Sequence, residues 1–143
     1  MAVESTIRTG NLDFEVVVSG HVLTVDVTEK LGGSDKGPDP HDYLVTALAG
    51  CTTITMQMYA NRKGIPLESA DVKIHITKEG SENRISREIK LIGALTEEQK
   101  QTLFAIAEKC PIHNFLERGA KIESRLIEEQ KSKQSQKSQS LLS

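Results

Sequence analysis

The 143-residue chain has no tryptophan, and its aromatic content is only 3%. Proteins that bind single-stranded nucleic acids stack the bases on aromatic side chains, and this chain offers few such platforms. The formal net charge is −2, with both signs interspersed, so the basic surface of a nucleic-acid-binding domain is also missing. The composition argues against nucleic acid as a partner and favours small molecules or proteins.

Signals for export and for membrane insertion are also lacking. Residues 1–8 show no basic stretch followed by an apolar run, so we expect no secretory signal and a cytoplasmic location. The longest uncharged stretch, residues 43–61, contains several threonines, a glutamine and a glycine. This composition predicts a buried core helix and no membrane span.

Cysteine is scarce, with Cys51 and Cys110 as the only thiols. A domain of this length buries enough surface to fold without a disulfide, and cytosolic disulfides are usually transient and catalytic. Each cysteine alone is also explained as a small packing residue, because free cysteine is among the most buried residue types. If the fold brings the two Cα atoms within roughly 7 Å, however, the thiols form a dithiol redox pair, and this is our working hypothesis.

The pattern of apolar residues predicts an α+β fold. Two β-branched runs within residues 14–27 predict a hairpin that turns at residues 19–21. Asp39 and Pro40 are typical of a helix start, and this long helix should run to about Arg62, with Gly64 as its C-terminal cap.

Alternation in residues 71–78 predicts an antiparallel strand, and Thr96 with Gln99 has the spacing of a capping box that opens a second helix. A last strand is expected at residues 121–127. We therefore expect helices on one face of an antiparallel sheet, with residues 1–127 as a single domain. Residues 128–143 are so polar that they predict a disordered tail.

Arg87 interrupts the strand pattern of residues 84–92. It has the same parity as the apolar Ile85, Ile89 and Leu91. Either a β-bulge redirects its side chain, or an arginine points inward. The bulge is the simpler interpretation, because the pattern around it is intact.

The surroundings of the cysteines differ. On an ideal helix Cys51 shares a face with Leu48, Thr55 and Met58, which predicts an apolar pocket with one hydroxyl. Cys110 should end the second helix, since Pro111 breaks it, and His113 follows close enough to raise the local positive potential. Cys51, Cys110, His113 and His41 could in principle bind a metal, but the tight Cys-x-x-Cys spacing of structural zinc is absent. We expect no metal and no cofactor.

Two motifs resemble those of the OsmC/Ohr family, the osmotically inducible and organic hydroperoxide resistance proteins. The first is Gly37-x-x-Pro40-x-Asp42-x-Leu44 followed by Ala-Leu-Ala-Gly-Cys51-Thr, and the second is Cys110-Pro-x-His113. The second motif is most similar to the branch of small redox proteins. The resemblance implies an OsmC-like fold with a long central buried helix, in an intertwined homodimer whose sites lie at the interface.

The same resemblance implies a thiol-dependent peroxidase in oxidative or osmotic stress defence. Cys51 would be the peroxidatic thiol and Cys110 the resolving thiol, acting on organic or hydrogen peroxide, with an external dithiol as reductant. The alternative is a non-catalytic protein of the same fold that senses oxidants or binds a small ligand.

Family members also supply an activating arginine and a carboxylate, and here the match is incomplete. Arg8 is the only N-terminal arginine and lies upstream of the expected place, which leaves Arg87 as the other candidate cation. Asp42, or less readily His41, occupies the carboxylate region. A helix rises about 1.5 Å per residue, so Asp42 lies roughly 13 Å from Cys51 and would act only across a dimer. Its other interpretation is an acid that complements the helix dipole.

Overall fold

In a computed structural model, residue 5 and residues 11–129 are described. The fold is α+β, as predicted, although the strands among the described residues form two separate antiparallel hairpins and not one sheet. The elements in chain order are β1 (Phe14–Val18), β2 (His21–Val25), α1 (Pro40–Lys63), β3 (Ser69–Lys78), β4 (Arg84–Ile92), α2 (Glu97–Ala107) and α3 (Pro111–Arg118).

The loop between β2 and α1 is organised by one buried carboxylate. Asp26 is only 1% exposed, and its side chain accepts N–H groups from Val27 at 2.7 Å, Ser34 at 3.2 Å and Lys36 at 3.0 Å. Gly33 is required beside it, because a Cβ at this position would collide with the Val27 carbonyl and the Asp26 carboxylate. The Lys36 backbone N–H contributes most to holding the pKa of Asp26 below its ordinary value.

We expect Asp26→Asn to lower the melting temperature at neutral pH. A carboxylate with a lowered folded-state pKa stabilises the fold above its unfolded-state pKa of about 4, and this contribution is lost as the pH falls through the folded-state value. The loss of stability at acidic pH should therefore be smaller in the variant. Thermal unfolding at several pH values measures both effects, with the exposed Asp35→Asn as the control. Equal behaviour of the two variants would contradict this account of the loop.

Helix α1 begins and ends as its sequence predicts. Asp39 and Asp42 form a reciprocal capping box at the N-terminus, Pro40 occupies the first turn, and Gly64 closes the C-terminus in the left-handed conformation. Its buried side recurs every four residues, at Leu48, Thr52, Met56 and Ala60.

The core lies where α1, α2 and the β3–β4 hairpin meet. Met56, Ala60, Leu67, Leu103 and Ala107 form its buried cluster. Helix α2 contributes Leu103 and Ala107 to this cluster, and it begins with the predicted capping box of Thr96 and Gln99. The framework holds the middle of α1 against the start of α3, which positions both cysteines.

The prediction of a strand at residues 121–127 is wrong. This segment has no regular secondary structure, and Ile122, Leu126 and Ile127 are 88%, 102% and 77% exposed. Its alternation is compatible with a strand, but neither of the two described hairpins pairs with it.

No helix in the described part of the chain is both long and apolar enough to span a membrane. Residues 130–143 of the predicted tail lie outside the described residues. The limit of the domain at residue 127, the disorder of the tail and the cytoplasmic location stay predictions.

Candidate active site

Cys110 lies at the start of a short helix that was not predicted from the sequence. The second helix ends at Ala107, and Cys110 is the N-cap of α3, where its Sγ accepts the His113 N–H at 3.5 Å. The expectation that Cys110 ends the second helix is therefore wrong. Pro111 marks the first position of a new helix, a place that proline favours, and not merely the break of an old one.

The fold brings the two thiols together. Cys51 lies in the middle of α1 and is partly exposed, with its Sγ 3.9 Å from the Thr55 hydroxyl, whereas Cys110 is fully buried. Burial raises the pKa of the Cys110 thiol, and the neighbouring Cys51 thiol raises it further, although the hydrogen bond from the His113 backbone N–H opposes this. The raised pKa favours the neutral Cys110 thiol at physiological pH, and both cysteines are free.

Arg87 points inward, so the prediction that a β-bulge redirects its side chain is wrong. Arg87 pairs regularly with Ile74, and the irregularity in the ladder lies at the far end of the hairpin, between Ile76 and Lys78. The Arg87 side chain is only 10% exposed. Its Nη1 donates to the Thr52 hydroxyl at 3.0 Å, which places the guanidinium beside the residue that follows Cys51.

Thr52 is fully buried, and its hydroxyl is oriented to accept the hydrogen bond from Arg87. Its hydroxyl donates to the Leu48 carbonyl at 2.7 Å within α1, which leaves the oxygen lone pairs free to accept from Arg87. The hydroxyl thereby joins the buried cation to the cysteine-bearing helix.

Glu108, which was not among the predicted site residues, connects Arg87 to the second motif. One carboxylate oxygen lies 3.4 Å from Arg87 Nη2 and the other lies 3.4 Å from His113 Nε2. His113 also contacts Glu117, at 3.2 Å. Glu108 is the C-cap of α2, where the helix dipole disfavours an acid. An acid at such a position suggests that a cation elsewhere in the fold stabilises it, and this signal could have pointed to Glu108.

Asp42 and His41 lie away from the thiols. The Asp42 carboxylate accepts the Asp39 N–H at 3.0 Å in the capping box, and His41 pairs with Glu79 at 2.8 Å across to the tip of the β3–β4 hairpin. The hydrogen bond that the protonated His41 ring donates to the Glu79 carboxylate raises the pKa of His41. The structure therefore brings Cys51, Cys110, Arg87 and His113 together, but not Asp42. Arg8 lies outside the described residues.

A cleft of about 880 Å³ opens beside this network. Arg87, Glu108 and His113 line it together with Leu48, which lies one turn before Cys51 on α1. The rest of the wall combines apolar and polar side chains, and neither cysteine is among the lining residues. No group of three or more metal-binding side chains is positioned to hold an ion within residue 5 and residues 11–129.

A family model described as OsmC-like protein matches residues 33–125, which is more than half of the chain and includes both cysteines. The chain belongs to the OsmC-like family. The predicted resemblance is thereby confirmed at the level of the family, while assignment to the Cys-Pro-x-His branch stays a prediction. None of the curated proteins matches the chain.

Solved structures of OsmC-type proteins share the fold. An OsmC-like protein from Mycoplasma pneumoniae is 20% identical, with a TM-score of 0.66 over 82% of this chain and 88% of the other. An organic hydroperoxide resistance protein from Legionella pneumophila is 22% identical, with a TM-score of 0.57 over 81% and 89% of the two chains. A third, an organic hydroperoxide resistance protein from Elizabethkingia anophelis, is 21% identical, with a TM-score of 0.54 over 80% and 86%.

Proposed function

We propose that this OsmC-like protein is a thiol-dependent peroxidase that reduces organic hydroperoxides, or hydrogen peroxide, in a stress-related redox role. The observation that carries the proposal is the proximity of the two thiols, close enough for Cys51 to raise the pKa of Cys110, with a buried arginine beside the next residue of the helix. Family membership and the names of two structural neighbours, both organic hydroperoxide resistance proteins, support the same substrate class.

The reaction begins at Cys51, because this thiol is partly exposed and Cys110 is not. The Cys51 thiolate attacks one peroxide oxygen, an S–O bond forms and the O–O bond breaks. The departing alkoxide takes a proton and leaves as an alcohol, while Cys51 becomes a sulfenic acid.

Cys110 then resolves this intermediate. Its sulfur attacks the sulfenic sulfur, water leaves and a disulfide forms between the two cysteines. The raised pKa of Cys110 keeps it protonated until that step, so its proton is available to the departing hydroxide. An external dithiol, itself oxidised to a disulfide, reduces the pair and restores both thiols.

Arg87 is the cation that we assign to this cycle. Its guanidinium carries five N–H donors, and the contacts with Thr52 and Glu108 use only two of them. The remaining donors can orient a peroxide and stabilise the charge that develops on the departing oxygen. His113 supports this arrangement in two ways. Its imidazole contacts Glu108, and its backbone N–H donates to the Cys110 sulfur.

Asp42 takes part only if two chains associate, and we propose a homodimer built on α1. This helix is uncharged from Tyr43 to Tyr59, yet Ile54 and Met58 are 61% and 67% exposed. An apolar helix face of this kind is covered in most stable proteins, and a second copy packed on it could bring Asp42 towards the partner's site.

The dimer predicts that Met58→Glu is monomeric. Placing a charge in an apolar interface leaves it desolvated and unpaired, so association should weaken strongly. Sedimentation equilibrium compares the wild type with this variant and with Lys73→Glu, a charge change on the solvent-exposed side of β3. A monomeric wild type, or a dimer that tolerates the glutamate, would rule out α1 as the interface.

The activity itself is tested by steady-state consumption of cumene hydroperoxide in the presence of excess dithiol. A peroxidase consumes many equivalents per chain. Consumption that stops after one equivalent would instead support the alternative, a protein that senses oxidants without turnover. No consumption at all would exclude both, and the cysteines would then be packing residues.

A further inference from the structure

Cys51 lies in the interior of α1, so its own helix offers no unpaired backbone N–H to its sulfur. A helix leaves backbone N–H groups unpaired only in its first turn, and α1 begins at Pro40. Cys110 differs in this respect, because it is the N-cap of α3 and its sulfur accepts the His113 N–H. Within α1, a thiolate at Cys51 therefore depends on side chains for hydrogen-bond donors.

Three threonines follow Cys51 closely in α1, and their hydroxyls have different partners. Thr52 and Thr53 donate to backbone carbonyls three or four residues earlier in the helix, at 2.7 to 3.1 Å. Threonine in a helix commonly forms such bonds. The Thr55 hydroxyl lies instead 3.9 Å from the Cys51 sulfur. Of the three hydroxyls, that of Thr55 is the one that contacts the reactive atom.

The contact between Thr55 and Cys51 can run in either direction while the cysteine is neutral. A thiol can donate its weak S–H to the Thr55 oxygen, or its sulfur can accept the Thr55 O–H. A thiolate has no proton and can only accept. Hydrogen bonds to an ionised group are also roughly twice as strong as those between neutral groups. A contact in which Thr55 donates therefore favours the charged form of Cys51.

We propose that Thr55 is a further catalytic residue of this site, whose hydroxyl donates a hydrogen bond to the Cys51 thiolate. The thiolate is the nucleophilic form of cysteine, so a donor that stabilises it increases the reactive fraction. Arg87 acts at a different place, because its guanidinium contacts Thr52 and Glu108 and is assigned to the peroxide oxygens. This inference rests on the proposed function for the role of Cys51 as nucleophile, but its test does not require peroxide turnover.

The experiment measures how fast iodoacetamide alkylates Cys51 in the full chain at neutral pH. Thr55→Val keeps the shape of the side chain and removes only the hydroxyl. A hydrogen bond to a charged group changes the ionised fraction by about tenfold or more, but a stabilised thiolate is also less nucleophilic, which offsets part of that gain. We therefore expect alkylation to slow by about threefold to tenfold. Mass spectrometry of the peptide that contains Cys51 excludes any contribution from Cys110.

Three companion variants separate the hydrogen bond from packing. Thr55→Ser keeps the hydroxyl and loses only the methyl group, so its rate should stay close to that of the wild type. Thr55→Ala removes the hydroxyl but favours the helix, and it should be slowed like the valine variant, which keeps the test valid if that variant does not fold. Thr53→Val removes a hydroxyl that bonds only to α1 carbonyls and should leave the rate unchanged.

An unchanged or faster rate in either folded variant without the Thr55 hydroxyl would overturn the inference. A faster rate would show that Thr55 accepts the S–H and stabilises the neutral thiol. A slow Thr55→Ser would also overturn it, since the methyl group would then be responsible, and so would an equal loss in Thr53→Val. The expected order of rates in a protein that consumes no peroxide would instead overturn the proposed peroxidase activity and leave the contact of Thr55 with the thiolate standing.

Discussion

Replacing Cys51 with serine should lower peroxide consumption by roughly 10³-fold or more, as the loss of a catalytic nucleophile typically does. A serine hydroxyl is almost entirely protonated near neutral pH and cannot form the sulfenic acid on which the second step depends. The rate is followed by the loss of cumene hydroperoxide with excess dithiol. Activity retained in Cys51→Ser would show that this cysteine is not the peroxidatic group.

Cys110→Ser is the matched comparison and should fail in a different way. Cys51 still reacts once in this variant, so one equivalent of peroxide is consumed rapidly. Without a resolving thiol the sulfenic acid persists or is oxidised further, and steady-state turnover with a dithiol reductant falls. A dimedone adduct on Cys51 reports the trapped intermediate. Rapid turnover in Cys110→Ser would mean that the external thiol resolves Cys51 directly.

Replacing Arg87 with methionine should slow the oxidation of Cys51 by about 10²-fold, the usual effect of removing one preorganised donor at a reacting oxygen. Methionine provides a long, flexible and uncharged side chain at this position, so the fold should survive the change. Stopped-flow mixing of reduced protein with peroxide measures this step without contributions from the reductant. The prediction depends on the inward position of Arg87 and its contact with Thr52.

Arg84→Met provides the control. Arg84 belongs to the same strand and lines the same cleft, but its side chain is 66% exposed and contacts Glu82 at the rim. The loss of this arginine should leave the rate within about twofold, because exposed ion pairs contribute little. If the two arginine variants slow the reaction equally, the rate of Cys51 oxidation depends on the total charge of the cleft and not on the position of Arg87.

The sequence predicted local structure well because local rules control it. Asp39, Pro40 and Gly64 define the ends of α1 through capping chemistry that involves only near neighbours. The β-branched runs around residues 19–21 likewise specify the first hairpin. Both cysteines were identified from their scarcity and their motifs.

The remaining features depend on partners distant in sequence. An inward Arg87 is stable only because Thr52 comes from α1 and Glu108 from the end of α2. Helix α3 was missed because cysteine is not among the favoured N-cap residues, although Cys110 takes that role here. The segment at residues 121–127 has the alternation of a strand but no described strand beside it. Periodicity alone cannot supply these long-range contacts.

Disulfide mapping after one equivalent of peroxide tests the central claim most directly. The reduced protein is treated, blocked with an alkylating reagent, digested without reductant and examined by mass spectrometry. We predict a single intramolecular disulfide between Cys51 and Cys110, formed in proportion to the peroxide consumed and reversed by a dithiol. Peroxide consumed while both cysteines are recovered as alkylated thiols, or as separate over-oxidised residues, would contradict the two-cysteine mechanism.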